Sequence, residues 1–354
     1  MSREEEIQKI EEELEKTKYN KHTQGHIGML KAKLAKLRAE DAKGSGTSYG
    51  PGFNVKKSGD ATVLLVGFPS VGKSTLLNRL TNADSKTGAY DFTTLDVIPG
   101  MMKYNGAQIQ ILDVPGLISG AAGGAGKGRQ VLSVVRNADL VVFLVDDIDQ
   151  LEPLRKELYN GGFRLDQKPP DVRIAKADTG GINVNVAVRK PILSKETVKK
   201  VLAEFKIHNA DVLIRENVNE EKLIDSMMGN RVYVPSLVVL NKIDKITDFS
   251  RIRKDIVKIS AANGENIEEL KKAVWRKLGL IRIYMKKIGH EPDMKEPLIM
   301  KHGATVMDVA GKILRSHRKY FRYARIWGPS AKFPEQKVGG EHHLSDGDTV
   351  ELHA

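Results

Sequence analysis

Gly67-Phe68-Pro69-Ser70-Val71-Gly72-Lys73-Ser74 fits the spacing G-x-x-x-x-G-K-[ST], the pattern of a loop that wraps phosphate. The glycines let backbone N–H groups turn inward, and the N-terminus of a following helix adds its dipole. Lys73 brings a point charge suited to β- and γ-phosphates. Ser74 brings a hydroxyl suited to Mg²⁺, with Thr75 beside it at the helix start. The chain before the loop, ATVLLVG, is a short apolar run, and the chain after it, KSTLLNRL, has helical spacing. That strand–loop–helix context separates a phosphate loop from an incidental glycine turn.

A phosphate loop does not name the nucleotide. Asn241-Lys242-Ile243-Asp244 follows the apolar run YVPSLVVL. A carboxylate at Asp244 accepts from two adjacent donors, and guanine presents N1–H and its 2-amino group side by side. Adenine presents an acceptor at N1 and no 2-amino group. Mismatches of that kind at buried polar sites discriminate by roughly 10⁴-fold or more. Ser260-Ala261-Ala262 follows the strand-like DIVKIS and is placed to close over the base. Asp113-Val-Pro-Gly116 ends the alternating run AQIQILDV. Asp113 there can hold Mg²⁺ through water, and Gly116 can offer its N–H to the γ-phosphate. Six glycines fall within 116–128, so this loop can rearrange when that phosphate leaves. Between the two phosphate motifs lies YDFTTLD, with Phe92, Thr93 and Thr94. One threonine hydroxyl can complete the Mg²⁺ shell when GTP is bound, and the spacing does not choose between them. Thr93, Thr94, Gly116 and Leu117 are thus switch residues. Leu117 follows DVPG, where many small GTPases carry a water-orienting Gln, and leucine cannot polarise water. No catalytic side chain is assigned.

The elements that must position these groups follow from patterning. Short apolar strands alternate with helices from Ala61 onward, which implies a parallel sheet covered on both faces, a P-loop α/β fold. About 95 residues separate the strand ends at Asp146 and Leu240, whereas a strand–helix–strand unit needs only about 30. The excess carries its own pattern (RIAKAD, GINVNVAV, ETVKKVLAEFKIH, DVLIRE), so a small α+β domain is inserted at 164–230. Residues 1–43 read as a helical hairpin. Ile7, Ile10 and Leu14 form one stripe and Ile27, Leu30, Leu34 and Leu37 the other. A glycine-rich linker, GSGTSYGPG, follows. The nucleotide-binding domain then comprises 60–163 and 231–282. Residues 283–354 form a β-grasp-like unit. In it Val306, Val309, Ala310 and Ile313 are spaced to face a core, and Phe321, Tyr323 and Ile326 fall on the packed side of a strand.

The 354 residues include no cysteine, which excludes disulfides, cysteine zinc sites, iron–sulfur clusters and thiol catalysis. The N-terminus MSREEEIQKI is charged and has no apolar core of a signal peptide. No apolar run approaches the roughly 20 residues that span a bilayer. A cytoplasmic protein with no membrane attachment is expected. The net charge is +12 and is localised. Residues 271–338 hold 17 Lys/Arg against 5 Asp/Glu, and 16–43 hold 8 against 2. Basic ends on a near-neutral body point to a polyanionic partner, nucleic acid bound through phosphates without DNA sequence specificity.

GFPSVGKSTLLNRL, YDFTTLDVIPG, DVPGLISGAAGGAGKGRQVL, KPPDV…GGINV, IHNADV, GNRVYVP and YARIWG together resemble the developmentally regulated GTP-binding (DRG) proteins. These belong to the Obg-like superfamily of translation-factor-class P-loop GTPases. The resemblance runs nearly end to end. It implies a helical hairpin, a G domain, an inserted α+β domain and a C-terminal TGS domain. It implies association with ribosomes and ribosomal RNA and with a small regulatory protein. It also favours Thr94 as the Mg²⁺ ligand. Some relatives use a bound K⁺ ion as extra positive charge, held partly by an Asn of the phosphate loop; here that position is Ser70. The leading expectation is a slow Mg²⁺-dependent GTPase that turns GTP to GDP and phosphate on ribosomes. The alternatives are a P-loop RNA-interaction module with little intrinsic hydrolysis, and a P-loop kinase of a small metabolite, against which NKID and DVPG argue.

Overall fold

The computed structural model describes residues 3–43, 58–81, 98–113, 137–250, 252–314 and 320–353. The chain divides into two compact units. One joins Met1–Gly52 to Tyr159–Tyr233, and the other joins Phe53–Leu158 to Val234–Ala354.

In the first unit, α1 (Arg3–Lys16) and α2 (Gln24–Lys43) form the hairpin. Ile10, Leu30 and Leu34 are buried between them, with Ile7, Leu14 and Leu37 packed alongside. The acidic α1 pairs with the basic α2 through Glu6–Lys33 at 2.7 Å and Glu11–Arg38 at 2.6 Å. The other side of α2 buries Ala32 among Val198, Val201 and Val212. Val212 belongs to a three-stranded sheet of β6 (Val172–Lys176), β8 (Ala210–Ile214) and β7 (Ile182–Val186), and Val198 and Val201 to α5 (Lys195–Glu204), which packs on that sheet with α6 (Glu220–Met228); β5 (Phe163–Leu165) pairs with β9 (Val232–Val234). Beneath this sheet a buried carboxylate, Asp225, is held by Arg164 (2.5 and 2.7 Å) and Arg231 (2.7 Å). Burial of such a charge is tolerated because it is paired and hydrogen-bonded on both oxygens.

The second unit is built on a six-stranded sheet ordered β11-β10-β4-β1-β3-β2, with β11 at Val257–Lys258 and α4 (Leu151–Asn160) following β4. β1 (Ala61–Val66) lies parallel to β3 (Ala107–Asp113) and β4 (Leu140–Val145), and β4 lies parallel to β10 (Ser236–Leu240). Every residue of β1 and β4 is buried, as expected of strands covered on both faces. The sheet is mixed, not wholly parallel. Ile98–Tyr104, β2, adds an antiparallel edge to β3. Its turn is Asn105-Gly106, both at positive φ (49° and 81°), the conformation that an Asn-Gly hairpin turn demands. α3 (Lys73–Thr81) buries Leu76, Leu77 and Leu80 against the sheet, and α7 (Ile267–Leu278) buries Leu270, Val274 and Trp275.

Within the same unit β12 (Leu280–Met285), β13 (Leu298–Lys301), β14 (Tyr323–Trp327), β15 (Gln336–Val338) and β16 (Asp348–His353) form the C-terminal sheet, ordered β13-β12-β16-β14-β15, with α8 (Val306–Leu314) on one face. Its core is Ile281, Ile283, Val306, Val309, Ala324, Ile326 and Val350. Two expectations fail here. Ile313, in the last turn of α8, is 46% exposed, because side chains at a helix end have fewer neighbours to cover them. Tyr323 is not on the packed face. Ala324 and Ile326 of β14 (Tyr323–Trp327) are the buried pair, so strict alternation sends Tyr323, Arg325 and Trp327 to the open face. There Tyr323 stacks on His353 at 4.4 Å, the Lys337 ammonium lies 4.0 Å over Tyr323, and Lys286 lies 5.0 Å over Trp327.

Candidate nucleotide site

The phosphate loop leaves the C-terminal end of β1 and enters α3, the position in an open α/β sheet where ligands bind. Gly72 has φ +97°, and a Cβ there would come within 2.5 Å of Asn241 Nδ2. A side chain at that position would break the contact that ties the loop to the base side. Lys73 folds back over the loop and donates to the carbonyls of Gly67 (2.9 Å) and Phe68 (3.0 Å). Burial lowers its pKa, and Asp113 opposes that shift. Asp113 ends β3 and is buried. Burial raises its pKa, while the Lys73 ammonium and the Ser74 hydroxyl pull it down. Its Oδ1 is buried with no partner among the described residues. An orphaned carboxylate oxygen beside a serine hydroxyl is a hard-oxygen donor pair that fits Mg²⁺.

On the base side, Asn241 follows β10 and is buried. Its Nδ2 donates to Val71 O at 2.8 Å and its Oδ1 accepts from Ala261 N at 2.9 Å. One side chain thus fastens the phosphate loop to the base-closing turn. Lys242 adopts φ +60°, and its Nζ bonds Ser70 O at 2.8 Å and Asp146 Oδ2 at 2.6 Å. Ser260, fully buried, donates to Asp244 Oδ1 at 2.6 Å. That bond is the main reason the Asp244 pKa falls below the usual carboxylate range. Asp244 is otherwise exposed, so an ionised carboxylate faces outward with an oxygen free to accept.

The structure therefore brings Gly67, Val71, Gly72, Lys73, Ser74 and Asp113 together with Asn241, Lys242, Asp244, Ser260 and Ala261. Pro69, Ser70 and Thr75 are exposed on the same loop and helix start, and Phe68 packs partly against the core. Ala262 closes the turn. Phe92, Thr93, Thr94, Gly116 and Leu117 lie outside the described residues. Two participants were not anticipated. Asp146, at the end of β4, holds Lys242 and is itself held by Gln150 at 2.7 Å. The doubled acid after LVVFLV was its only signal. Arg79 of α3 reaches the carbonyls of Ala261 and Ala262, and nothing in its local sequence announces that.

Residues 62–176 match the family described as 50S ribosome-binding GTPase, 179–280 match the C-terminal region of that domain, and 281–354 match the TGS domain. An uncharacterised GTP-binding protein of Methanocaldococcus jannaschii is 53% identical over 366 residues, covering 99% of this chain and 93% of its own length. Developmentally-regulated GTP-binding protein 1 of Xenopus laevis is 44% identical, covering 98% of this chain and 97% of its own. Developmentally-regulated GTP-binding protein 2 of Homo sapiens is 43% identical over 98% of both chains. With a P-loop sheet and a TGS domain in one chain, and relatives at this identity over nearly its whole length, the protein belongs to the developmentally regulated GTP-binding family.

Proposed function

We propose that this protein hydrolyses GTP slowly, with Mg²⁺, and acts as a nucleotide-dependent switch on ribosomes in the cytoplasm. The observation that carries the hydrolytic part is the cluster of Lys73, Ser74 and the orphaned Asp113 Oδ1 at one end of a pocket whose other end is Asp244. Lys73 would exchange the Gly67 and Phe68 carbonyls for phosphate oxygens, a trade of neutral acceptors for charged ones that favours the bound state. Ser74, Thr94 and Asp113, the last through water, would hold Mg²⁺. The ion would neutralise charge gathering on the phosphates.

Leu117 contributes no group that orients water, so intrinsic turnover should lie near the unassisted range, at or below about 10⁻² s⁻¹. Acceleration then comes from a bound K⁺ or from a group supplied in trans by the ribosome or by a small regulatory protein. Phosphate release from GTP, measured in K⁺ and in Na⁺ and with and without ribosomes, tests this. Slow release that ribosomes or K⁺ raise severalfold is the expected result. No release under any of these conditions would favour the RNA-interaction module without hydrolysis.

Support for the ribosomal part comes from charge and from the matched family's description. The excess of Lys/Arg falls in 271–338, and this segment contains most of the cations lining the open face of the C-terminal sheet.

A further inference from the structure

We propose that Arg79 is a positioning residue for guanine recognition, acting on the base through the turn at 260–264. The proposal rests on the reading of Asp244 as the group that recognises guanine, and concerns what holds that carboxylate and its neighbouring backbone in place. Arg79 stands six residues beyond Lys73 on the exposed side of α3. Its Nε donates to Ala261 O at 3.2 Å and its Nη2 to Ala262 O at 2.5 Å. The turn is also braced through Ser260. Gly264 N and Glu265 N both donate to Ser260 O (2.8 and 3.1 Å), and Asn263 N donates to Ser260 Oγ at 3.2 Å. The guanidinium thus takes two adjacent carbonyls, Ala261 O and Ala262 O, on the side of the turn that faces α3.

A trans peptide is planar, with its C=O and N–H opposed. Fixing Ala261 O therefore fixes the direction of the Ala262 N–H, away from the guanidinium. Fixing Ala262 O likewise fixes the Asn263 N–H. Its acceptor, Ser260 Oγ, in turn donates to Asp244 Oδ1 at 2.6 Å. Two short relays thus run from one side chain, one to a backbone donor of the base-closing turn and one to the carboxylate that reads the base. A third link closes the ring: Ala261 N binds Asn241 Oδ1, and Asn241 Nδ2 binds Val71 O in the phosphate loop. Because α3 itself begins at that loop, Arg79 ties the base side of the pocket to the helix whose N-terminus faces the phosphates. The planar fork of arginine suits two adjacent carbonyls, whereas lysine offers one point donor.

The test uses the full chain with fluorescent GDP and IDP, and ADP as control. IDP lacks the 2-amino group, so the GDP:IDP affinity ratio measures reading by Asp244. Arg79→Ala should raise the GDP off-rate about tenfold and shrink the GDP:IDP ratio severalfold. The unfolding midpoint of the nucleotide-free chain should stay within about 2 °C of wild type, since the side chain is exposed. Arg79→Lys should fall between the two. Unchanged off-rates, or equal proportional losses for GDP and IDP, would overturn the proposal. A wild-type chain that binds ADP as tightly as GDP would overturn the guanine reading on which it rests.

Discussion

At the scale of single residues, much of the pocket was legible because its motifs are local. Eight consecutive residues fit the phosphate-loop pattern, and four after an apolar strand fit a guanine-reading pattern. Their chemistry follows from residue type and order alone. Arg79 was not legible because its partners Ala261 and Ala262 lie 182 and 183 residues away. No local pattern marks an arginine that will meet two distant carbonyls. The same holds for Asn241, whose residue type was readable but whose second role, joining Val71 O to Ala261 N, was not. Lys73 offers a clean test at this scale. Its ammonium is held by loop carbonyls that have other ways to be satisfied by water. Lys73→Ala should therefore cut GTP turnover by at least about 10²-fold, the range for removing one charged donor from a developing charge. Circular dichroism and the unfolding midpoint should change little. Turnover within a few-fold of wild type would mean that Lys73 does not face the phosphates.

At the scale of elements, alternation and helical period located most strands and helices, and failed where a boundary or a parity decided the outcome. β2 escaped because Ile98–Tyr104 contains a proline and a glycine, which read as breakers, although the Asn105-Gly106 pair after it was a hairpin signal. Tyr323 was placed on the wrong face by a shift of one residue, which is all that a period of two allows. Ile313 falls on the core stripe by helical spacing, but it stands in the last turn of α8 and is exposed. These placements separate by mutation. Val309 is fully buried and Ile313 is 46% exposed on the same helix. Val309→Ala should cost about 1–2.5 kcal/mol as a core truncation, and Ile313→Ala less than about 0.5 kcal/mol. Chemical denaturation of the two variants measures this. A larger loss for Ile313 would put it back in the core and turn the helix.

At the scale of the whole molecule, the charge distribution and the nucleotide site lead to separate expectations. On the C-terminal sheet Arg282, Lys286 and Arg325 are paired with Asp346, Glu351 and Glu335, but the 271–338 segment as a whole has an excess of 12 positive charges. If this region docks on ribosomal RNA through phosphates, association should weaken steeply with salt, with a log–log slope reflecting several displaced counterions. Reversal of Lys312, Arg315 and Arg318 to glutamate should reduce ribosome co-sedimentation while leaving nucleotide binding intact. Binding insensitive to both salt and reversal would contradict a phosphate-mediated contact. Selection of guanine through Asp244 is open to test by nucleotide competition. Displacement of fluorescent GDP by GTP, ATP and XTP should be measured for the wild-type chain and for Asp244→Asn. The expected result is a wild type that responds to GTP and ignores ATP, and a variant that exchanges its GTP preference for XTP, whose base carries an acceptor where guanine has its amino group. A variant that keeps the wild-type preference for GTP would contradict the assignment of Asp244.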